Sequence, residues 1–450
     1  MKNLTIFFLL INFFSFAQNI KGVVLDLNTN KLLIGAHVYL KNSVNGSITN
    51  KKGEFNLKIK SKENKKDTLI ISHIGYTTKK LPISEIKENN YVIHLSINLQ
   101  NLEKITVFSN KKLKPKIYFN KLNSLKKGLY SFGSLIINDK IYVIGGNASH
   151  NTDQVLKTLS VGDPNLSILD LYKKARYNFS WQHFSSDLFI YNTTTNTWKK
   201  SNLKFRNRAY NNIHFFNDKI YVLGGIKLSK SKKIEYLDDK IEVFDIKNDT
   251  IIIDDVNPHQ AVNFASFLKN ENLIIIGGSI KMKKNGFKEY SNKIHLYNLG
   301  SGYWYELTDM PNNKETKGVM VNNKIYLIGG FNKKPLEYIE SIDLNTGKWK
   351  KEGQLFYGIE RPALTYNNNI IYIFDNGKIL TYNIITKELN EYLIDLFLKS
   401  SELHYTNNML YLLGGYKENE YSFTPSRGFY SINLNEFEIT KINKSKTLEN

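Results

Sequence analysis

The feature that most constrains this chain is a pattern that recurs six times: an aspartate or asparagine closes a strand-like run, and a large apolar residue follows six positions later. The six pairs are Asn192/Trp198, Asp245/Ile251, Asn298/Trp304, Asp343/Trp349, Asn383/Leu389 and Asn433/Ile439. Upstream of each pair lies a β-rich run, and five of these runs end in glycine pairs: Gly145 and Gly146, Gly224 and Gly225, Gly277 and Gly278, Gly329 and Gly330, Gly414 and Gly415. The remaining run, residues 370–377, keeps the strand pattern without the glycine pair. Repetition of this kind predicts small units that bury their faces by stacking on one another.

The spacing within the repeat predicts the architecture of each unit. From each apolar residue to the next glycine position there are 25 or 26 residues, whereas from that position to the following Asp or Asn there are 8 to 47. We therefore predict four antiparallel strands, a to d, with a tight turn between a and b and a variable connection between b and c. Six units closing into a ring give an all-β, six-bladed β-propeller over residues 112–450. Residues 116–122 are predicted to add a strand to the last blade and close the ring.

This order of features resembles the Kelch repeat: an apolar run, Gly-Gly, a variable loop, Tyr-Asp or Tyr-Asn, a turn, and Trp. The resemblance covers about 330 residues. Trp198, Trp304 and Trp349 match the family position, and the other three units carry Ile or Leu there. The resemblance implies a Kelch-type propeller, in which the apolar residue packs between sheets.

Residues 19–110 have a different pattern, with six β-rich runs separated by turn clusters such as Asn45-Gly46. This pattern predicts a small β-sandwich. The runs Gly22–Asp26, Ile34–Val38, Gly46–Phe55, Ser72–Tyr76 and Leu102–Val107 resemble the carboxypeptidase-regulatory-like domain found at the front of exported bacterial proteins, including TonB-dependent receptors. The resemblance implies an accessory module for spacing or for protein contact, such as contact with an envelope protein, and the family name does not imply peptidase activity. His37, His73 and His94 are predicted to be packing or surface residues.

The first 18 residues have one Lys, an apolar stretch and then Ser-Phe-Ala-Gln, which is typical of a secretory signal peptide. The chain contains no cysteine, and no later segment is long and apolar enough to cross a bilayer. We therefore predict an exported protein that is periplasmic, surface-associated or secreted, and that is not integral to a membrane. The net charge is +21, because 57 lysines and five arginines outnumber 41 acidic residues. These basic residues are spread along the chain without a nucleic-acid motif, so no nucleic-acid partner is expected.

The loops between strands b and c and the links between d and the next strand a emerge on one face of such a ring. Binding residues concentrate on loops that a rigid scaffold holds in place, so this loop face is the predicted ligand surface. All five arginines map to it: Arg176, Arg206, Arg208, Arg361 and Arg427. In a chain that otherwise uses Lys, this placement indicates bidentate recognition of a carboxylate, or else chance. Arg208 and Arg361 also match an arginine position of the Kelch family.

Further candidates lie in the blade-one insertion and near two glutamates. Trp181 and His183 are predicted either to stack on a sugar ring or to accompany a short helix that packs Leu169, Tyr172 and Phe179 on the propeller. Glu360, and Glu402 near His404, offer acid–base chemistry, although a glutamate in such a position is more often a simple loop charge.

The residues leave two functions open. No cofactor or metal site is predicted, because the chain has no Cys, no Gly-rich phosphate loop and no nucleophile turn. The first hypothesis is a non-enzymatic protein that binds a protein or glycan on the loop face. The second is an enzyme on acidic sugars, since the Kelch resemblance extends to propellers related to sialic-acid epimerases and mutarotases. The fold does not choose between them.

Overall fold

The computed structural model describes residues 18–41, 46–59, 67–88, 91–97, 113–232, 234–282 and 288–449. The chain divides between Lys112 and Leu113 into two compact units. The predicted signal peptide and the run at residues 102–107 lie outside the described residues.

The first unit is a β-sandwich with two sheets. One sheet has the strand order Glu54–Ile59, Gln18–Asp26, Val92–Leu95, and the other has the order Gly46–Ile48, His37–Leu40, Thr68–Ser72, Lys79–Pro82. A short helix, α1 (Ile83–Glu88), follows the last of these strands. Alternate residues such as Val24, Val38 and Leu57 point inward, and they are buried in a single apolar cluster.

The described part of the second unit forms six antiparallel sheets with the strand order a-b-c-d, which we call blades one to six. Blades one to three contain Gly133–Ile137, Lys140–Ile144, Asp187–Asn192 and Thr197–Lys204; Asn212–Phe216, Lys219–Leu223, Lys240–Asp245 and Thr250–Val256; Ala265–Lys269, Asn272–Ile276, Ile294–Asn298 and Trp304–Glu306. Blades four to six contain Glu315–Val321, Lys324–Asn332, Lys334–Asp343 and Trp349–Ile359; Ala363–Asn367, Ile370–Asp375, Lys378–Asn383 and Glu388–Leu393; Glu402–Thr406, Met409–Leu413, Phe429–Asn433 and Asn120–Lys121.

The ring closes through its innermost strands and both ends of the unit. Each strand a contacts strand a of the next blade, and strand a of blade six contacts strand a of blade one. Asn120–Lys121 pairs with Phe429–Asn433 as strand d of blade six, which confirms the predicted closing strand. Near the other end, Lys444–Thr447 adds a fifth strand to blade five. Pairing the two ends with different blades fastens the ring shut.

The recurring Asp or Asn is explained by the turn between strands c and d. In blade one the Asn192 carboxamide oxygen accepts hydrogen bonds from the backbone N–H groups of Thr194 and Thr195, at 2.9 Å each. Asp245, Asp343 and Asn383 accept the same pair of bonds two and three residues on. A short side-chain oxygen is required here, because it replaces the backbone acceptor of a turn.

The glycine pairs join neighbouring blades. The N–H of Gly146 donates to the carbonyl of Arg208 in the next link, and that of Gly225 donates to Ala261 at 3.0 Å. Both glycines have positive φ, and a Cβ on Gly225 would lie 2.2 Å from the carbonyl oxygen of Ala209. Glycine is therefore needed where strand b turns to reach the next blade. In blade five Asn376 substitutes, with φ of 32° and its N–H on Leu398.

The apolar residue of the repeat packs between neighbouring sheets in five blades. Trp198 joins the cluster shared by blades one and six, and Trp349 joins the cluster shared by blades three and four. Trp304 stacks on Tyr297 with ring centroids 4.6 Å apart.

Blade six departs from the prediction, because Ile439 lies in helix α4 (Glu436–Ile439) and is 41% exposed. Phe437 packs there instead, with its ring centroid 5.3 Å from Tyr372 and 5.1 Å from Tyr392. The helix forms because Asn433 accepts one turn bond, from Asn435, and strand d comes from elsewhere in the chain.

The connections between strands b and c carry additional elements on the loop face. They contain helices α2 (Gln154–Ser160) and α3 (Ile168–Ala175), and the short strands His150–Thr152, Phe179–Trp181, Ile226–Leu228, Glu235–Leu237, Ser279–Met282, Lys288–Tyr290, Tyr416–Asn419 and Ser422–Pro425. His150–Thr152 pairs with Ser422–Pro425, so the blade-one insertion is tied to the blade-six loop. Arg208–Ala209, in the link before blade two, pairs with Ile226–Leu228. No helix among the described residues has the length and apolar character needed to span a membrane.

Candidate functional site

The strand register brings one position of every blade to the loop-face end of the central channel. In each blade, one residue of strand a pairs with the last residue of strand b before the glycine position. In blades one to six this residue is Gly133, Asn212, Ala265, Lys317, Ala363 and Glu402, respectively. Two residues earlier stand Ser131, Tyr210, Asn263, Glu315, Arg361 and Ser400. We call this end of the channel the mouth. Its equivalent positions carry different side chains, so the scaffold repeats while its chemistry does not.

Arg361 crosses the mouth from blade five to the far side. Its guanidinium carbon lies 5.7 Å from the ring centroid of Tyr210, which belongs to the link before blade two. Nη2 is 2.8 Å from Glu360 Oε1 and 3.6 Å from Glu315 Oε2. Because blades two and five are opposite in the ring, this contact places the guanidinium near the central axis.

The guanidinium is largely enclosed, and it keeps one unused donor. The Arg361 side chain is 19% exposed, and its buried Nε has no hydrogen-bond partner. Burial lowers the pKa of Arg361, but Tyr210 and the carboxylates of Glu360 and Glu315 outweigh it, so the net pKa is raised. The group is therefore a permanent cation with a free N–H.

Glu315 is the buried counterpart of this cation. Its Oε1 accepts hydrogen bonds from Ser279 Oγ at 2.7 Å and from Lys288 Nζ at 2.8 Å. Its Oε2 is buried without a hydrogen-bond partner, and it faces Arg361. Two carboxylates thus meet two cations, and the charges at the mouth are balanced.

Tyrosines form the other wall of the mouth. The Tyr130 ring lies 5.1 Å from Tyr416, 5.1 Å from Phe423 and 6.5 Å from Tyr210, all edge-on. Burial raises the pKa of Tyr130, Tyr210 and Tyr416, so their phenols stay protonated. Tyr210 has φ of 63°, which is unusual for a bulky residue and marks a position that its surroundings hold in place.

Below the mouth the channel encloses a cavity of about 420 Å³ lined by strands a of all six blades. His404 Nε2 lies 2.8 Å from Ser134 Oγ, and His214 Nε2 lies 2.7 Å from Ser266 Oγ. Burial lowers the pKa of both histidines to about 4, so both are neutral near pH 7. Glu402 accepts a hydrogen bond from Lys317. Glu402 and His404 are therefore channel-wall residues on a strand and not loop residues.

Arg206 and Arg208 serve the interior of blade two. The Arg208 side chain is fully buried, and it donates to Glu242 at 2.7 Å and to the carbonyl of Lys240 at 3.1 Å. Arg206 forms a two-nitrogen pair with Asp238, which also lies 3.4 Å from Arg208 Nε. Arg208 Nε makes no hydrogen bond, but carboxylates of the same chain neutralise both guanidinium groups.

The blade-one insertion is helical, yet its apolar side chains face solvent. Leu169 and Tyr172 are 61% and 62% exposed, so the prediction that they pack on the propeller is wrong, and the Phe179 side chain lies outside the described residues. The helix forms because Ser167 and Asp170 make a capping box. Arg176 lies over the Tyr172 ring at 5.3 Å.

The remaining candidates are separate from the mouth. Trp181 stacks on His183 with ring centroids 4.7 Å apart, and burial lowers the pKa of that histidine. Arg427 donates from Nε to the carbonyl of Leu125 at 2.9 Å, next to the closing strand. Of the ten predicted site residues, the described structure brings Glu360 and Arg361 together at the mouth.

Sequence reasoning missed Tyr130, Tyr210, Glu315 and Tyr416. A count back from each strand a would have found Tyr210 and Glu315, because they share the position of Arg361 in the repeat. The described residues contain no cluster of three or more His, Cys, Asp or Glu side chains able to hold a metal ion.

Known proteins match both units of the chain. Residues 20–107 match the CarboxypepD_reg-like domain, and residues 316–355 match the Kelch motif. The chain thus joins a carboxypeptidase-regulatory-like domain to a Kelch-type β-propeller. A solved structure titled "Structure of YjhT" aligns over 73% of this chain and 99% of its own, with 13% identity and a TM-score of 0.51, which shows similarity of fold. No curated protein matches.

Proposed function

We propose that the propeller is an exported binding protein and that its mouth holds a carboxylate-bearing sugar. The observation that carries the proposal is Arg361, an enclosed guanidinium at the channel axis with an unpaired Nε. A buried donor without a partner costs free energy, so a ligand oxygen that accepts a hydrogen bond from this N–H removes that cost and gains affinity.

The surroundings of Arg361 favour a sugar acid over a simple anion. A ligand carboxylate would accept a hydrogen bond from Arg361 Nε and displace the Glu360 carboxylate from Nη2. Glu360 can turn toward solvent, because it is 38% exposed. The protonated phenols of Tyr210 and Tyr416 offer O–H donors for hydroxyl groups. Their rings also offer faces for the apolar side of a pyranose.

A second candidate is catalysis at the same mouth, namely exchange of the anomers of an acidic sugar. Glu360 would take the proton of the anomeric hydroxyl, and the neutral phenol of Tyr210 would donate a proton to the ring oxygen as the ring opens. Closure on the other face reverses both transfers. The observation that favours this candidate is that a carboxylate and a protonated phenol both border Arg361.

Binding is tested by calorimetry with glucuronic acid and N-acetylneuraminic acid on the wild type and on Arg361→Ala. Arg427→Ala is the matched control, because it removes another guanidinium of the loop face. We expect weaker binding by Arg361→Ala alone. Equal affinities for all three proteins overturn the proposal.

Catalysis is tested by NMR exchange of the anomers, with Glu360→Gln as the diagnostic variant. Faster exchange with the wild type than with Glu360→Gln supports the enzyme, whereas exchange at the uncatalysed rate leaves a binding protein. Export is tested separately, by cell fractionation and by sequencing the mature N-terminus. A mature chain that begins at Met1 contradicts it.

A further inference from the structure

A cleft of about 780 Å³ runs between blades five and six on the loop face, outside the mouth. Its lining includes Asn376, Phe397, Lys399, Tyr416, Glu418 and Asn419. Tyr430, on strand c of blade six, and Phe119, directly before strand d of that blade, line it as well. The volume is within the roughly 300–1,000 Å³ range of small-ligand sites.

The cleft is open because blade five has a two-residue connection between strands b and c. Asn376 and Gly377 make this connection, whereas every other blade carries a longer loop or hairpin there. The rim of the loop face is therefore lowest at this point. A ligand that enters the mouth from the side meets the least obstruction over blade five.

An exposed aromatic ring forms the floor of this gap. Phe397 is 61% exposed, although a lone phenylalanine gains by burial. Its ring lies against Gly377, where an added Cβ would be 2.7 Å from the ring. Gly377 therefore leaves room for the ring, whose other face is open to solvent.

The cleft is continuous with the mouth through Tyr416. The Tyr416 ring contacts Tyr130 at a centroid distance of 5.1 Å, and its phenol lies within the electrostatic influence of Arg361. Two backbone hydrogen bonds, of 2.9 and 3.0 Å, join Tyr416 to Lys399. One rigid wall thus leads from the sugar-acid position outward to Phe397.

Polar groups border the aromatic floor on both sides. Lys399 and Glu418 pair at 2.9 Å with both side chains 45% exposed, and the Asn376 and Asn419 amides lie in the same lining. A flat apolar ring flanked by exposed amides and charges suits a ligand with alternating C–H faces and hydroxyl groups. A chain of sugar residues has this character, and an apolar peptide helix does not.

We propose that this cleft is a second subsite for an acidic oligosaccharide, with its terminal sugar acid at the mouth and the following residues over Tyr416 and Phe397. The inference rests on the proposed function, and it adds that the preferred ligand is an oligomer. Each residue beyond the first gains contacts along a wall that is already in place, so affinity rises with chain length.

The test is calorimetry with two series of acidic sugars, oligogalacturonides and α2,8-linked oligosialic acids, each of one to four residues. We expect affinity to rise with length on the wild type. Phe397→Ala loses the gain, roughly 2- to 10-fold, and keeps its affinity for the monosaccharide. Tyr303→Ala is the matched control, because Tyr303 is 66% exposed in a turn between strands c and d, away from the loop face.

The outcomes separate this inference from the proposed function. Equal affinity for one and four residues, or unchanged oligomer affinity in Phe397→Ala, overturns the cleft while the mouth stands. Arg361→Ala that binds every length as the wild type does overturns the mouth. Absence of binding by both series overturns both. Tyr416→Phe, which keeps the ring, is expected to retain the dependence on length, and its loss there also contradicts the cleft.

Discussion

Arg208 and Arg361 both precede strand a of a blade, two positions apart in the repeat, and their surroundings differ. Arg208 is fully buried in blade two, where Glu242 and a backbone carbonyl accept hydrogen bonds from its Nη atoms and the buried Asp238 carboxylate lies 3.4 Å from its Nε. Nε makes no hydrogen bond in either arginine, but Arg361 lies near the channel axis and one of its partner carboxylates, Glu360, is 38% exposed. The difference shows that an arginine in a repeat is a binding candidate where a partner carboxylate is exposed and can give way to a ligand, and not where buried carboxylates enclose it.

The most direct test of this comparison is to remove Arg208, the arginine with a structural role. We expect Arg208→Ala to lower the free energy of unfolding by about 3–5 kcal/mol, because Glu242 is left buried without its guanidinium partner and Asp238 keeps only Arg206 and Lys227. Denaturant unfolding of the full chain measures the loss. Arg361→Ala serves as the comparison, and an equal loss in that variant contradicts the assignment of separate roles.

Lowering the pH should reduce stability through two histidines of the channel wall, and it should not change the charge of either arginine. His214 and His404 have folded pKa values of about 4, below the ordinary 6.5, so the unfolded chain binds more protons between these values. Their contribution to stability is therefore complete above pH 6.5, and it falls as the pH drops toward 4, by about 1–3 kcal/mol for each.

Thermal unfolding from pH 8 to pH 4 checks this, with His404→Gln compared to the wild type. The variant should lose less stability over that range. A parallel pH dependence in the two proteins rules out His404 as a source. His73→Gln is the matched control, because its ring lies on the surface of the other unit.

We expect the two arginine variants to rank in opposite order for ligand binding and for stability. Arg361→Ala is expected to weaken binding of a sugar acid about 10- to 100-fold, because a hydrogen bond to a charged group contributes about 1.5–3 kcal/mol. The free energy of unfolding should change by less than it does in Arg208→Ala. Calorimetry and unfolding on the same preparations give both numbers, and reversed ranks would refute the comparison.

The smallest effect concerns the phenol beside Arg361. Tyr210→Phe keeps the ring 5.7 Å from the guanidinium and removes the hydroxyl, so we expect at most about a 10-fold loss of affinity. The strained backbone at residue 210 is unchanged in this variant. A loss as large as that of Arg361→Ala would assign the main ligand contact to the hydroxyl instead.

The repeat was readable from the sequence because local hydrogen bonding imposes it. In four blades the Asp or Asn accepts hydrogen bonds from the residues two and three positions on, and the glycine pairs have positive φ, so both leave a signature at fixed spacing. Ile439 was misassigned for the same reason, since counting six residues assumes a turn that blade six replaces with a helix. The exposure of Leu169 and Tyr172 was equally unreadable, because periodicity predicts a helix and not what it packs against.

The sequence by itself determined the β-sandwich, the Kelch-type repeat and the loop face, because turns, strands and glycines act over a few residues. Only the tertiary structure decided which arginine is enclosed by buried carboxylates and which has an exposed one. Glu242 is 34 residues from Arg208 along the chain, and Tyr210 is in the blade opposite Arg361. Such contacts form when the ring closes and brings distant links to one axis, so a pattern within a few residues of the sequence does not predict them.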